Sequence, residues 1–226
     1  FLISAIKIIF LLGFLIGIHE TGHFLIAKLC KVRVNEFAIG FGPVIWKKQG
    51  KETKYELRLI PLGGFVNMEG ETEQSEKEGS FTKASIPRRV AIVAAGALVN
   101  IIFAIIVYFI LAMTVRGNLT NAVVGNRVLE ADNFGNRLYF ASYNTKEFML
   151  SIVESVKQLF TGKVSSSELV GPVGISEVVA KTNGFREFIY ILAAISISLG
   201  VTNLLPFPPL DGGKIVLILL EAIRRK

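Results

Sequence analysis

FLISAIKIIFLLGFLIGIHETGHFLIAK, residues 1–28, is the stretch on which the fold turns. A helix needs roughly 20 apolar residues to cross a hydrocarbon core. This run exceeds that, broken only by Lys7 and by His19-Glu20-Thr21-Gly22-His23. Both histidines of the chain lie in that pentad. Positions four apart share a helix face, so His19 and His23 can grip one metal ion, with Glu20 one position round from the first. Two surface histidines beside an unrelated glutamate would carry the same letters. The apolar surroundings speak against that, because ionisable groups at membrane depth are costly and mark function. The stretch points to hydrolysis within a bilayer.

Over the whole chain, 51% of the residues are apolar, 19% are charged and the mean hydropathy is +0.53. Soluble domains carry about 25% charged residues, so the balance favours a membrane protein. Two more runs are candidate spans: Val90 to Val115, with no charge, and Phe188 to Leu205, shorter and followed by prolines. Ile215–Leu220 is too short to cross. The first run has no basic leader and no small-residue cleavage site, so it reads as a retained span. Lys28, Lys31 and Arg33 follow the first span, Lys83, Arg88 and Arg89 precede the second, and Arg224, Arg225 and Lys226 close the chain. Only Arg116 and Arg186 flank the other ends. The positive-inside rule then predicts residues 28–88 and the C-terminus to be cytoplasmic and 116–187 to lie outside. The net charge of +7 forms no basic stripe interleaved with aromatics, which argues against nucleic acid. Cys30 is the single cysteine, so no internal disulfide forms.

Between the first two spans, Val44-Ile45-Trp46, a polar turn at 47–54 and the alternating Tyr55-Glu56-Leu57-Arg58-Leu59-Ile60 predict a hairpin over about 43–60, closed by Pro61-Leu62-Gly63-Gly64. An exposed strand edge there, at Tyr55, Leu57 and Leu59, could pair with an extended substrate; a plug for the cytoplasmic face is the alternative. Glu69–Gly79 reads as a mobile solvated loop. Beyond the second span, Arg137-Leu138-Tyr139-Phe140 is strand-like. Thr145 reads as the N-cap of an amphipathic helix carrying Phe148, Ile152, Val156 and Leu159 or Phe160, stopped at Gly162.

A zinc ion held by two histidines needs a third protein ligand and an open position for water. The chain has two aspartates, Asp132 in the outer segment and Asp211 in Asn203-Leu204-Leu205-Pro206-Phe207-Pro208-Pro209-Leu210-Asp211-Gly212-Gly213. Three prolines cannot continue a regular helix. Unwound backbone at membrane depth is tolerated where it is buried or lines a wet cavity, so this broken segment reads as a site.

His19-Glu20-Thr21-Gly22-His23 together with Asn203-x-x-Pro206-x-x-x-x-Asp211-Gly212 resembles the paired signature of the site-2 protease family of intramembrane zinc metalloproteases. Gly40-Phe41-Gly42-Pro43, Ile60-Pro61-Leu62-Gly63-Gly64-Phe65-Val66 and Gly171-Pro172-Val173-Gly174-Ile175 resemble its bacterial members that degrade anti-sigma factors. The resemblance implies that His19, His23 and Asp211 bind Zn2+, that Glu20 is the general base, and that Asn203 lies beside the metal and helps hold substrate. Asn100 matches the last residue of a family Gly-Pro-x-x-Asn motif. Here the text is Gly96-Ala97-Leu98-Val99-Asn100, without the proline, and an interhelical hydrogen bond is an equal reading. The hairpin resembles the family's membrane-re-entrant β-loop. The implied partners are single-span membrane protein substrates and the lipid bilayer. The implied place is the bacterial inner membrane, with the active site toward the cytoplasm.

The expected fold is mainly α and polytopic: a three-transmembrane-helix metalloprotease core with a membrane-associated β-hairpin. We expect the first transmembrane helix at 1–28, a cytoplasmic loop with the hairpin at 29–87, and the second transmembrane helix at 88–115. An extracytoplasmic segment at 116–187 and a third span with the aspartate motif and a C-terminal helix at 188–226 complete it. Relatives of this type carry PDZ domains between the second and third spans and a further span after the aspartate motif. The interval here is too short for a PDZ domain, so an external domain and a last helix are expected to be missing, with the junction within about 117–135. A membrane zinc carrier or sensor, and a scaffold that binds substrate helices without cutting them, are the alternatives; neither needs Glu20 as a base.

Overall fold

Apolar side chains all round a helix leave it no face for water, and α1 (Leu2–Leu29) is such a helix. The computed structural model describes residues 2–73, 75–161 and 172–224. Among these, α1, α2 (Ile86–Met113) and α5 (Phe185–Asn203) are long and apolar enough to cross a membrane. At 1.5 Å per residue, the two 28-residue helices reach about 42 Å, more than a hydrocarbon core of about 30 Å requires. Helix α2 begins earlier than expected. Pro87 sits in its first turn, where a missing N–H costs no bond, and the Arg89 N–H reaches the Ser85 carbonyl at 3.0 Å. Helix α5 stops at Asn203, and residues 204–210 are non-helical, as the prolines dictate. The chain resumes as α6 (Asp211–Arg224).

The residues divide into two compact units, Phe1–Ile101 with Ser198–Lys226, and Ile102–Ile197. The first holds a core of Ala27, Val32, Val34, Met68, Phe81, Ile92, Val93 and Ile218. It also holds the hairpin, longer than expected: β1 (Val34–Gln49) and β2 (Lys54–Met68), paired antiparallel overall. Each strand doubles over, β1 at Gly40 and Gly42, whose φ values of 91° and 79° suit glycine. Residues 34–39 consequently pair antiparallel with 64–68, and 44–49 with 54–58. Between these limbs Glu36, Phe37, Ala38 and Ile39 match Lys54, Tyr55, Glu56 and Leu57, the numbers rising together. The limb order is 44–49, 54–58, 34–39, 64–68.

The bend lies deep along α1. A Cβ placed on Gly13 would stand 2.4 Å from the Pro61 carbonyl oxygen, whereas the 50–53 turn is tied to the end of α1 by the Lys28–Glu52 ion pair. Gly13 and Lys28 are about 22 Å apart along the helix axis, at 1.5 Å per residue. Phe41, Val44, Ile45, Leu59 and Ile60, around the bend, are exposed. Glu69, which opens the stretch expected to be a mobile loop, is held by hydrogen bonds. Its carboxylate accepts from Asn35 and Ser75, and its backbone carbonyl accepts the Phe81 N–H at 2.7 Å.

The second unit contains the short hairpin β3 (Val123–Val124) and β4 (Arg127–Val128) and the helices α3 (Phe134–Phe160) and α4 (Pro172–Ala180). Leu119, Val124 and Leu129 form its core against Tyr139, Phe140 and Tyr143. Two expectations are corrected here. Residues 137–140 are helical rather than strand, and Thr145 lies buried within α3 rather than capping it. The cap is Asn133, whose Oδ1 accepts the Asn136 N–H at 2.9 Å, so the helix nucleates a full twelve residues earlier than Thr145 suggests. Gly162, Gly171, Arg225 and Lys226, which carried expectations from sequence, lie outside the described residues.

Candidate metal centre

The pentad occupies one continuous helical stretch of α1, so His19 and His23 stack four residues apart with their Nε2 atoms 3.1 Å from each other. Asp211 begins α6, and its Oδ2 stands 3.1 Å from His19 Nε2 and 3.3 Å from His23 Nε2. These side chains are only 11–12% exposed. His23 Nδ1–H donates to the Ile92 carbonyl at 2.9 Å, which leaves the Nε2 lone pair free to face the aspartate. Asp211 Oδ2 is buried and meets neither imidazole in hydrogen-bond geometry. A buried acceptor without a donor is costly.

This arrangement fits a metal. Four ligands at about 2.0–2.1 Å in a tetrahedron lie roughly 3.3–3.4 Å apart, close to the triangle of 3.1, 3.1 and 3.3 Å seen here. Two imidazole nitrogens and one carboxylate oxygen are a zinc donor set with a fourth position left for water. Among the described residues this is the one group of three potential ligands drawn together. Asp132, the other aspartate, is engaged by Arg137 at 2.6 Å.

Two glycines let the helices come this close. A Cβ on Gly22, inside the pentad, would stand 2.7 Å from the Ala95 carbonyl oxygen. One on Gly96 would stand 2.4 Å from His23 Nε2 and 2.8 Å from His19 Nε2. Small residues at such crossings are how membrane helices approach backbone to backbone. Gly96 is the residue sequence reasoning passed over. Its signal was present, since it opens the stretch that ends at Asn100.

Around these three side chains lies a cavity of about 400 Å³, lined by His19, Glu20, His23, Gly64–Met68, Glu71, Thr72, Val93, Asp211 and Lys214. Glu20 is half-buried there, and a Cβ on Gly64 would touch its Cγ at 3.0 Å. Lys214, one turn beyond Asp211, pairs with Glu71 at 3.1 Å.

A model described as peptidase family M50 matches residues 7–226. The chain belongs to peptidase family M50. Similar proteins include provisionally named zinc metalloproteases of Fusobacterium nucleatum, 30% identical over 94% of this chain and 87% of that protein, and of Clostridium acetobutylicum, 31% identical over 95% and 86%. Protease RseP of Yersinia pestis is 31% identical over 78% of this chain and 41% of its own length. The M50 family is the site-2 protease family that the paired motifs resembled, so the chain is a membrane zinc metalloprotease, and the carrier and scaffold alternatives fall away. The Fusobacterium match extends over 295 positions while covering 94% of a 226-residue chain. That relative thus holds roughly eighty residues inside the matched span that this M50 chain lacks.

The remaining expected site residues are placed differently. Asn100 is buried in α2 and Asn203 is half-buried at the end of α5, and neither lines the cavity. Tyr55, half-buried, packs on Phe24 and Phe37, while Leu57 and Leu59 are exposed. Leu59 lies past the paired limb, at the bend, and the limb that carries Tyr55 and Leu57 is not a free edge. Tyr55 is matched with Phe37 on one side and Lys48 on the other, and Leu57 with Ile39 and Trp46. The doubling of the strands, invisible in a period-two pattern, moves the edge nearest the ligands to Gly64–Met68.

Proposed function

We propose that His19, His23 and Asp211 hold the zinc, that Glu20 is the general base, and that the enzyme cuts single-span membrane proteins within or near their transmembrane helix. The observation that carries this reading is the convergence of His19 Nε2, His23 Nε2 and Asp211 Oδ2 within 3.3 Å, with the Glu20 carboxyl in the same cavity. When bound, zinc polarises the scissile carbonyl and lowers the pKa of attacking water to about 7. The Glu20 carboxylate accepts the water's proton and returns it to the leaving nitrogen.

A substrate helix hides its carbonyls in its own hydrogen bonds, so the enzyme must hold it extended. The Gly64–Met68 edge supports that role, since it pairs on one side with residues 34–39 and forms one wall of the cavity. A strand added there would have its backbone groups satisfied where water is scarce. Tyr55 and Leu57 act by stiffening the sheet, Leu59 by extending the exposed apolar bend, and Asn203 and Asn100 by holding helix ends and crossings near the cleft. The exposed apolar bend beside the middle of α1 supports a hairpin that dips into lipid. The lysines and arginines flanking α1 and α2 favour an inner-membrane protein with its active site toward the cytoplasm and residues 116–187 outside, where an external PDZ-like domain is missing. Release of membrane-bound regulators such as anti-sigma factors is the fitting substrate class.

The test is cleavage of a reconstituted single-span substrate by the wild type and by Glu20→Gln, with zinc measured in both. Loss of cleavage with zinc retained supports the reading. Cleavage that survives Glu20→Gln refutes the role of Glu20.

A further inference from the structure

Away from the catalytic cavity, a recess of about 630 Å³ is lined by Lys28, Lys31, Val32, Arg33, Glu52, Lys77, Glu78 and Gly79. Four of these side chains are cationic and two are acidic. Glu52 is committed to Lys28, and Lys77 to Glu69 at 3.3 Å. Lys31 and Arg33 are exposed and have no carboxylate within ion-pair distance among the described residues, although Arg33 acts on Glu52 from further off. Glu78, exposed, is the other acid of the lining, so of four cations and two carboxylates the recess keeps an excess of positive charge, carried by Lys31 and Arg33.

Its position is equally informative. It sits where α1, a helix apolar enough to cross a membrane, ends. On the last two turns Leu25 is 51% exposed and Leu29 76% exposed, one turn apart on the face that also carries Lys28. A helix C-terminus ordinarily repels anions. Here the final carbonyls are occupied: Ile26 by the Cys30 N–H, Ala27 by the Val32 N–H and Lys28 by the Lys31 N–H. Lys31 closes this cap at φ 61°, a conformation that glycine or asparagine enters far more easily than a side chain as long as lysine. A strained lysine whose ammonium opens on a cationic recess is the kind of outlier that points to a ligand.

We propose that this recess binds the phosphate of an anionic phospholipid, with Lys31 and Arg33 as its principal partners and the acyl chains lying along Leu25 and Leu29. Apolar surface continuing into unpaired cations at the end of a spanning helix matches an amphiphile with an anionic head, and a soluble phosphate would make no use of the leucines. Basic residues beside a membrane surface each contribute about five-fold in affinity for anionic lipid.

The experiment uses the detergent-purified protein, with native mass spectrometry and thermal midpoints as readouts and no dependence on proteolysis. Short-chain phosphatidylglycerol, short-chain phosphatidylcholine and glycerol 3-phosphate are titrated separately. Phosphatidylglycerol is expected to be retained and to raise the midpoint, the other two not. Lys31→Gln with Arg33→Gln should weaken phosphatidylglycerol roughly 25-fold, whereas Lys47→Gln with Lys48→Gln, an equal charge change in the hairpin, should leave it alone. Lys31→Gly, which suits the backbone, should weaken it about five-fold without lowering the midpoint in detergent alone. Unchanged affinity in the double variant, equal binding of phosphatidylcholine, or equal binding of glycerol 3-phosphate each overturns the proposal.

Discussion

Replacing Gly96 by alanine sets two physical effects against each other. Glycine inside a helix is about 1 kcal/mol worse than alanine, so propensity alone predicts a stabilised α2. The structure predicts damage instead. The new methyl would stand 2.4 Å from His23 Nε2 and 2.8 Å from His19 Nε2, against an ordinary contact of about 3.5 Å. One or both imidazoles must give way by about an ångström, yet His23 is anchored through Nδ1 to Ile92 on the same helix as Gly96. Overpacking of this size costs roughly 1–3 kcal/mol. Disturbing the support of metal ligands typically weakens binding by about 10–100-fold. We expect zinc affinity to fall within that range, and each tenfold loss to remove about 1.4 kcal/mol of zinc-linked stabilisation. The assay is competition against a chelator of known affinity, with thermal midpoints recorded with and without zinc. Gly17→Ala is the control, since the nearest atom to its Cβ is Ile39 Cδ1 at 4.0 Å. Wild-type zinc affinity in Gly96→Ala would refute the argument.

Asp211→Asn keeps the size but lowers the donor strength of one ligand; bound zinc measured by elemental analysis should drop, whereas Asp132→Asn should leave it unchanged. Glu20→Gln should keep its zinc and lower the cleavage rate by about 10²–10⁴, the usual worth of a general base, as followed by gel assay. The Lys54 ammonium, and after it the Arg58 guanidinium, hold the Glu56 carboxyl at about 2 despite its burial. A depressed carboxyl contributes stability above its unfolded value of about 4.3 and loses it as the pH falls toward 2. Relative to the intrinsic exchange rate at each pH, the protection of β1 and β2 amides should therefore fall over that window, and less so in Glu56→Gln. A cysteine at Asn67, in a Cys30→Ser background, should crosslink to a bound substrate span more readily than one at Leu57; the reverse order would return substrate pairing to the inner limb.

Much of this protein was legible from its letters. The three helices long and apolar enough to cross a membrane follow from runs of apolar residues, because a bilayer core admits few alternatives. The stop at Asn203 follows from prolines that forbid a helix. The pairing of His19 with His23 follows from the helical repeat. In each case the cause is local, acting within a few residues along the chain. The proposed third ligand was less so: the proline-broken segment only hints at Asp211, and it is folding that brings Asp211 Oδ2 to the imidazoles while Asp132 pairs with Arg137. The same holds for Gly96, whose importance is the distance between two helices, and for the sheet, where a doubling of both strands buries the expected edge and exposes Gly64–Met68 to the cavity. Pattern reports which face of an element is apolar. Which elements meet, and at what separation, is decided by packing between residues far apart in the chain, and the proposed metal centre is built from those distances.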